Sequence, residues 1–191
     1  LKNVASSLSL MLKNLPVHFD NPEFRQYALK AIGRSVDRIN GLISRLSELR
    51  GGLEIHAASA DLEGVVESAL QQLDAERRQL VAHELQPGLR LPLDREQIQK
   101  VLTNLLLNAL EAIGPGGQVR VRTSRQGSWA VLGVSDNGCG MSREFLDRCL
   151  FRPFQTTKKK GIGIGMYQSR RIVEAHGGRI EVESQEGKGT T

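Results

Sequence analysis

The chain has 191 residues, 39% of them hydrophobic and 25% charged, and a formal net charge of +5. These proportions suit an ordinary globular protein with a packed core and exclude a disordered tail, a collagen or a fibre. With only 4% aromatic residues the modest positive charge gives no case for nucleic-acid binding. No apolar run nears the roughly 18 to 20 residues needed to cross a bilayer, so no membrane contact is expected of this segment. The start, Leu1-Lys2-Asn3, has neither a signal peptide nor an initiator Met, which predicts a piece of a longer protein. Cys139 and Cys149 are too few for a disulfide framework or a zinc site; both are predicted to be packing residues in a reducing cytosol, giving a cytoplasmic location.

The first 52 residues read as two helices. Val4, Leu8, Met11 or Leu12, and Leu15 recur at helical spacing, and Pro16 with Asn21-Pro22 supplies a break. A second stripe runs through Ala28, Ile32, Val36 or Ser35, Ile39, Leu42, Ile43, Leu46 and Leu49, closing at Gly51-Gly52. An antiparallel hairpin this short cannot bury both stripes alone, so it is expected to pair with a second copy as a four-helix bundle, making the protein a homodimer.

From residue 53 the pattern changes to mixed strands and helices, giving predicted domains 1–52 and 53–191 and an α+β class overall. Leu53 to His56 suggests a short strand. Ser59 or Asp61 can cap a helix carrying Leu62, Val65, Val66, Ala69, Leu70 and Leu73, and strands are expected near 80–85 and 89–92. Asp94, with Gln97 three residues on, opens a long apolar helix to about Ile113, stopped by Gly114-Pro115-Gly116-Gly117. Val119 and Val121 alternate with Arg120 and Arg122, Ser124 to Ser128 forms a hairpin loop, and Trp129 to Val134 is the next strand. Helices near 142–150 and 163–176 and a strand near 179–184 complete an α/β sandwich with a mixed sheet.

Four segments of the second domain place polar or glycine residues where a core alone would not ask for them. Asn104 and Asn108 share one face of the apolar helix; they are either solvated or must find partners, and an amide oxygen is a good hard ligand for Mg²⁺ beside a phosphate. Asp136-Asn137-Gly138-Cys139-Gly140 follows a strand; it makes a good turn, and equally a carboxylate that accepts from an exocyclic amine beside glycines that admit a flat base. Gly161-Ile162-Gly163-Ile164-Gly165 follows Lys158-Lys159-Lys160 and precedes a helix, an arrangement that exposes N–H donors to a phosphate chain. Its spacing is not that of a dinucleotide fingerprint, and no P-loop is present. Gly187-Lys188-Gly189-Thr190 repeats the glycine-rich character and reads on its own as a hairpin turn.

In this order and spacing, with Phe151-Arg152-Pro153-Phe154 and Thr156-Thr157-Lys158 between them, the segments resemble the nucleotide-binding boxes of sensor histidine kinases, whose ATP-binding fold is shared with DNA gyrase and the heat-shock chaperone ATPases. The phrases from Leu150 to Lys158 and from Val173 to Gly178 look especially like this family, and within it the chain is similar to the PrsK-like kinases. The resemblance implies ATP and Mg²⁺ as cofactors, with Asp136 receiving the adenine amine, Asn108 helping hold the metal and Asn104 beside it. Gly138 and Gly140 would shape the adenine pocket. Gly161, Gly163 and Gly165 with Lys158 would cover the phosphates, and Thr190 would lie in the last box. Ile162 stands where threonine is common, and the chain stops before the last expected strand.

The resemblance also implies transfer of the γ-phosphoryl group to a hairpin histidine and then to an aspartate on a response-regulator receiver domain. His18, His56, His83 and His176 all read as structural, so the acceptor is expected just upstream of residue 1. Asn3 would then orient water for dephosphorylating the regulator. An amide at Asn104, where the related ATPases carry a basic glutamate, argues against a gyrase-type ATPase or clamp and for a nucleophile better than water, such as imidazole with its pKa of about 6.5. A non-catalytic nucleotide-sensing scaffold is the other alternative.

Overall fold

The computed structural model describes residues 9–36 except 11, 15 and 34, residues 53–158, and residues 161–191. The chain splits into two compact units, Leu1–Gly52 and Leu53–Thr191. Asn3, the histidine expected before residue 1, and most of the predicted hairpin lie outside the described residues.

In the first unit, Asn21 caps the helix of residues 22–33: its Oδ1 accepts from the N–H groups of Glu23 at 2.9 Å and Phe24 at 3.2 Å. Pro22 follows at the first helical position, where its missing N–H is no loss. Ala28, Ala31 and Ser35 are buried, and the Ser35 hydroxyl donates back to the Ala31 carbonyl. Leu29, Ile32 and Val36 are exposed. The buried face therefore follows Ala28 and the Ser35 alternative of the predicted stripe, while Ile32 and Val36 are turned outward.

The second unit opens with β1 (Ala58–Asp61), five residues later than the predicted strand at Leu53. It pairs antiparallel with β3 (Arg90–Leu93) as a separate two-stranded sheet. Asp61 caps α1 (Leu62–Gln71), accepting from Glu63 N–H at 3.1 Å. A short helix absent from the sequence reading, α2 (Ala75–Gln79), is capped by Asp74 and leads into β2 (Val81–Glu84). Then come α3 (Arg95–Ala112), β4 (Val119–Gln126) and β5 (Trp129–Asp136). The β4–β5 turn is only Gly127-Ser128, so the strands run further than the predicted loop of Ser124 to Ser128; the positive φ of Gly127 permits the tighter turn. α4 (Arg143–Arg148), α5 (Gly165–Ala175), β6 (Ser184–Gln185) and β7 (Gly189–Thr190) finish the unit. The strand expected near 179–184 shrinks to β6, although Glu183 and Thr191 still exchange backbone hydrogen bonds at 2.9 and 2.8 Å.

The main sheet runs β2-β4-β5-β7-β6, parallel between β2 and β4 and antiparallel elsewhere. A parallel β2–β4 pair needs a crossover, and α3 supplies it, so α3 lies across one face of the sheet. Val119 and Val121 point to that face and are fully buried with Leu102 and Leu106 of α3 and Val66 and Ala69 of α1. Burial of each of these valine and leucine side chains stabilises the unit by about 2 kcal/mol. Arg120 and Arg122 lie on the opposite face, where both pair with Glu84.

Asp94 holds the start of α3. Its carboxylate accepts from Gln97 N–H at 3.1 Å and His56 N–H at 3.0 Å, and the His56 bond leads the forces that keep its carboxyl below the usual carboxylate range, against the opposing effect of burial. Its own N–H donates to His176 Nε2 at 2.9 Å, so that nitrogen is unprotonated and Nδ1 donates to the Ile172 carbonyl at 2.7 Å. His176 thereby ties the end of α5 to the start of α3, with both ring nitrogens engaged. Asp94→Ala is expected to lower stability by about 2 kcal/mol at neutral pH through loss of the cap. A carboxyl with a lowered folded value stabilises above its unfolded value and loses that effect as pH falls through the folded one. The gap between wild type and variant, read from urea midpoints, should therefore narrow on acidification.

Candidate nucleotide site

The site is built on one stripe of α3. Asn104, Asn108, Glu111 and Ala112 follow one another at spacings that keep them on one side of the helix, and each meets a different loop. At the near end, Asn104 Nδ2 donates to the buried Ser169 hydroxyl of α5 at 3.0 Å, and any side chain on Gly165 would overlap the Asn104 amide. One turn on, Lys158 Nζ donates to Asn108 Oδ1 at 2.8 Å and to Glu111 Oε2 at 2.5 Å. At the last turn, Cys139 N–H donates to the Ala112 carbonyl at 3.0 Å, and a Cβ on Gly138 would come within 2.5 Å of the same oxygen.

Asp136 ends β5 beside that last turn. Its Oδ1 accepts from Gly138 N–H at 2.8 Å, and its backbone pairs with Thr190. Burial pushes the Asp136 carboxyl above the ordinary carboxylate value, opposed in part by the N–H groups of Gly138 and Thr190. The two C-terminal glycine segments interlock. Gly140, at φ +63°, leaves no room for a side chain against the Gln185 carbonyl, and Gly189, at φ +111°, leaves none against the Asp136 carbonyl. Gly187 N–H donates to the Cys139 carbonyl at 2.8 Å. The Thr190 hydroxyl lies 2.8 Å from that of Ser184, which also accepts from Met141 N–H at 2.9 Å. What reads in sequence as a hairpin turn is thus also the brace of the D-N-G-C-G loop.

The segment before α5 folds back on the Phe-Arg-Pro-Phe run. Phe154 N–H donates to the Gly163 carbonyl at 2.8 Å, and Phe154 itself adopts φ +66°, a conformation strained for an aromatic residue. A Cβ on Gly161 would come within 2.7 Å of the Thr156 hydroxyl. Ile164 precedes α5 and makes no side-chain cap, so the first-turn N–H groups of an eleven-residue helix are left to other acceptors.

The structure therefore gathers Asn104, Asn108, Asp136, Gly138, Gly140, Lys158, Gly161, Gly163, Gly165 and Thr190 around one helix and its bordering loops. Asn3, Lys159 and Lys160 lie outside the described residues. Sequence reasoning missed Glu111 and Ser169, although Glu111 stands three residues after Asn108 and Ser169 four after Gly165, at helical-neighbour spacing. Cys139 is exposed and Cys149 half-buried, which corrects the expectation that both pack; the Cys139 backbone is held on both sides, leaving its thiol outward. Among the described residues no cluster of three His, Cys, Asp or Glu side chains could hold a metal, and no helix is long and apolar enough to cross a membrane.

The family described as histidine kinase-, DNA gyrase B-, and HSP90-like ATPase matches residues 93–191, which span every box of this site. The chain belongs to that ATPase family. Similar proteins of the family include the sensor histidine kinase ZraS of Escherichia coli K12, 36% identical over 85% of this chain and 36% of ZraS. The signal transduction histidine-protein kinase AtoS of the same organism is 32% identical over 100% of this chain and 32% of AtoS. The chain thus spans about a third of the length of these relatives. The histidine kinase ThkA, solved in complex with the response regulator protein TrrA, shares the fold with a TM-score of 0.76 at 22% identity, over 99% of this chain and 56% of ThkA. The α+β unit with its mixed sheet is accordingly an ATP-binding domain of the type found in sensor histidine kinases.

Proposed function

We propose that the chain is the dimerisation hairpin and ATP-binding catalytic domain of a bacterial sensor histidine kinase, in the cytoplasm. The observation that carries the reading is the single α3 stripe on which the adenine-side loop, the glycine segment and the lysine all converge. The curated relatives, sensor histidine kinases matched over most of this chain, support it.

The Asp136 carboxylate accepts a hydrogen bond from the adenine amine while Gly138 and Gly140 let the ring approach. The uncapped start of α5, the N–H groups of Gly163 and Gly165, and the Lys158 ammonium receive the phosphates, while Gly161 closes the loop by donating to the Lys158 carbonyl. The Asn108 oxygen already faces a cation, the Lys158 ammonium at 2.8 Å, so its chemistry fits a hard metal. Asn108 would hold Mg²⁺, which would supply neutralisation of the phosphate charge. Asn104 carries no basicity and its amide is tied to Ser169, so the site holds the nucleotide without activating water at that position. Positioning and charge neutralisation then favour transfer of the γ-phosphoryl group to an imidazole nucleophile of the hairpin in the whole protein.

Residues 1–52 serve as the hairpin. Leu29, Ile32 and Val36 form an exposed apolar row at helical spacing, consistent with a second copy packing there. A receiver domain is the next acceptor, a reading supported by the ThkA–TrrA complex, and Asn3 orients water on that aspartyl phosphate. The PrsK-like likeness rests on the phrases around Phe151 and His176. The test is phosphoryl labelling: a longer chain that includes the residues upstream of Leu1, given γ-labelled ATP, should acquire an acid-labile, base-stable label and pass it to a receiver domain. Nucleotide binding without labelling would leave a sensing scaffold, and robust steady-state hydrolysis would make it an ATPase.

A further inference from the structure

Lys158 Nζ sits between two oxygens of α3, Asn108 Oδ1 at 2.8 Å and Glu111 Oε2 at 2.5 Å. Asn108 and Glu111 are three residues apart and so present their oxygens to one side of the helix. An ammonium held between an amide oxygen and a carboxylate occupies the kind of position a hard cation takes. The lysine backbone is anchored independently of this grip: its N–H donates to the Thr156 hydroxyl at 3.1 Å and its carbonyl accepts from Gly161 N–H at 3.2 Å. The side chain can therefore leave α3 without unmaking the loop that carries it. Both partners of the ion pair are well exposed, at 39% for Lys158 and 55% for Glu111, which keeps the grip weak enough to exchange.

We infer that Lys158 is a resident counter-cation of the metal position: in the nucleotide-free protein its ammonium holds Asn108 and Glu111, and Mg²⁺ arriving with a nucleotide must displace it from the Asn108 oxygen. This rests on Asn108 being the metal-holding residue proposed above. The amide oxygen cannot serve two adjacent cations without strong repulsion, so lysine and metal compete for it. Displacement also frees a positive charge beside the phosphates at the moment the metal binds, and leaves the Glu111 carboxylate facing the metal.

The test is calorimetric titration of the chain with ADP over a series of Mg²⁺ concentrations, which needs no catalytic turnover. Lys158→Met removes both the competitor and the charge that moves to the phosphates, so ADP binding at saturating Mg²⁺ should weaken while the Mg²⁺ midpoint falls about two- to five-fold, the range an exposed ion pair can supply. Lys158→Arg, which keeps a cation within reach, should restore a midpoint close to wild type. Lys100→Met, a charge loss on the same helix outside the site, should leave the midpoint unchanged. An unchanged or higher midpoint in Lys158→Met, or an equal fall in Lys100→Met, overturns the exchange. Asn108→Ala separates the two readings. If it abolishes the Mg²⁺ dependence while Lys158→Met does nothing, the metal assignment stands and the lysine exchange is wrong. If Asn108→Ala leaves the Mg²⁺ dependence intact, the metal assignment itself is wrong.

Discussion

Gly140→Ala should unfold the nucleotide pocket and lower the stability of the second unit by about 3 kcal/mol or more. Two effects combine. The residue sits at φ +63°, where an L side chain is strained, and a Cβ there would overlap the Gln185 carbonyl of β6. That carbonyl belongs to the hairpin whose Gly187 N–H donates to the Cys139 carbonyl and whose Gly189 packs on Asp136. The clash therefore moves the brace of the whole D-N-G-C-G loop, and nucleotide binding should be lost with it. Gly127→Ala is the matched control. It has a similar φ of +61° in the β4–β5 turn but nothing within 4 Å of its Cβ, so only the conformational cost of about 1 kcal/mol applies. Urea midpoints and calorimetric ADP titration of the two variants separate the terms; equal losses would mean that the contact with β6 contributes nothing.

The contrast also explains which parts of the site could be read in advance. Signals that act through a residue's own backbone or its helical neighbours were legible: the caps at Asp61 and Asp94, the stop after Ala112, the in–out alternation of Val119 to Arg122, and the shared face of Asn104 and Asn108. Contacts made across the fold were not. Glycine spacing alone does not tell that Gly140 meets β6, or that Gly165 must be small because Asn104 lies against it. The grip of Lys158 on Glu111 spans 47 residues of sequence, and that of Asn104 on Ser169 spans 65. Element ends failed where tertiary pairing overrode local pattern: β1 starts at Ala58 because that is where β3 offers a partner, with Ala58 opposite Leu93. In the helix of residues 22–33 the apolar residues cover two faces, so periodicity left Val36 and Ser35 open, and burial falls on Ala28, Ala31 and Ser35.

Asp136→Asn is expected to separate function from stability in opposite directions. The asparagine oxygen can still accept from Gly138 N–H, the 2.8 Å bond that shapes the loop. The other end of the side chain changes from an acceptor to a donor, and with Asp136 in its proposed role a donor would face the adenine amine and leave both groups unpaired. Loss of a charge-assisted bond in that setting weakens ADP binding by about 10- to 100-fold. Stability should move the other way. Burial raises the Asp136 carboxyl above its ordinary value, so the folded state favours its protonated form. Such a group stabilises the fold fully below its unfolded value and loses that contribution as pH rises through the folded one. At neutral pH the wild type therefore carries a half-buried carboxylate at a cost, which the neutral amide removes. Urea midpoints should show the variant at least as stable as wild type at pH 7, with the advantage fading on acidification through the carboxyl's titration. A variant that binds ADP normally would take Asp136 out of the adenine site. One that binds poorly because it is unstable at pH 7 would show that the carboxylate holds the loop rather than the base.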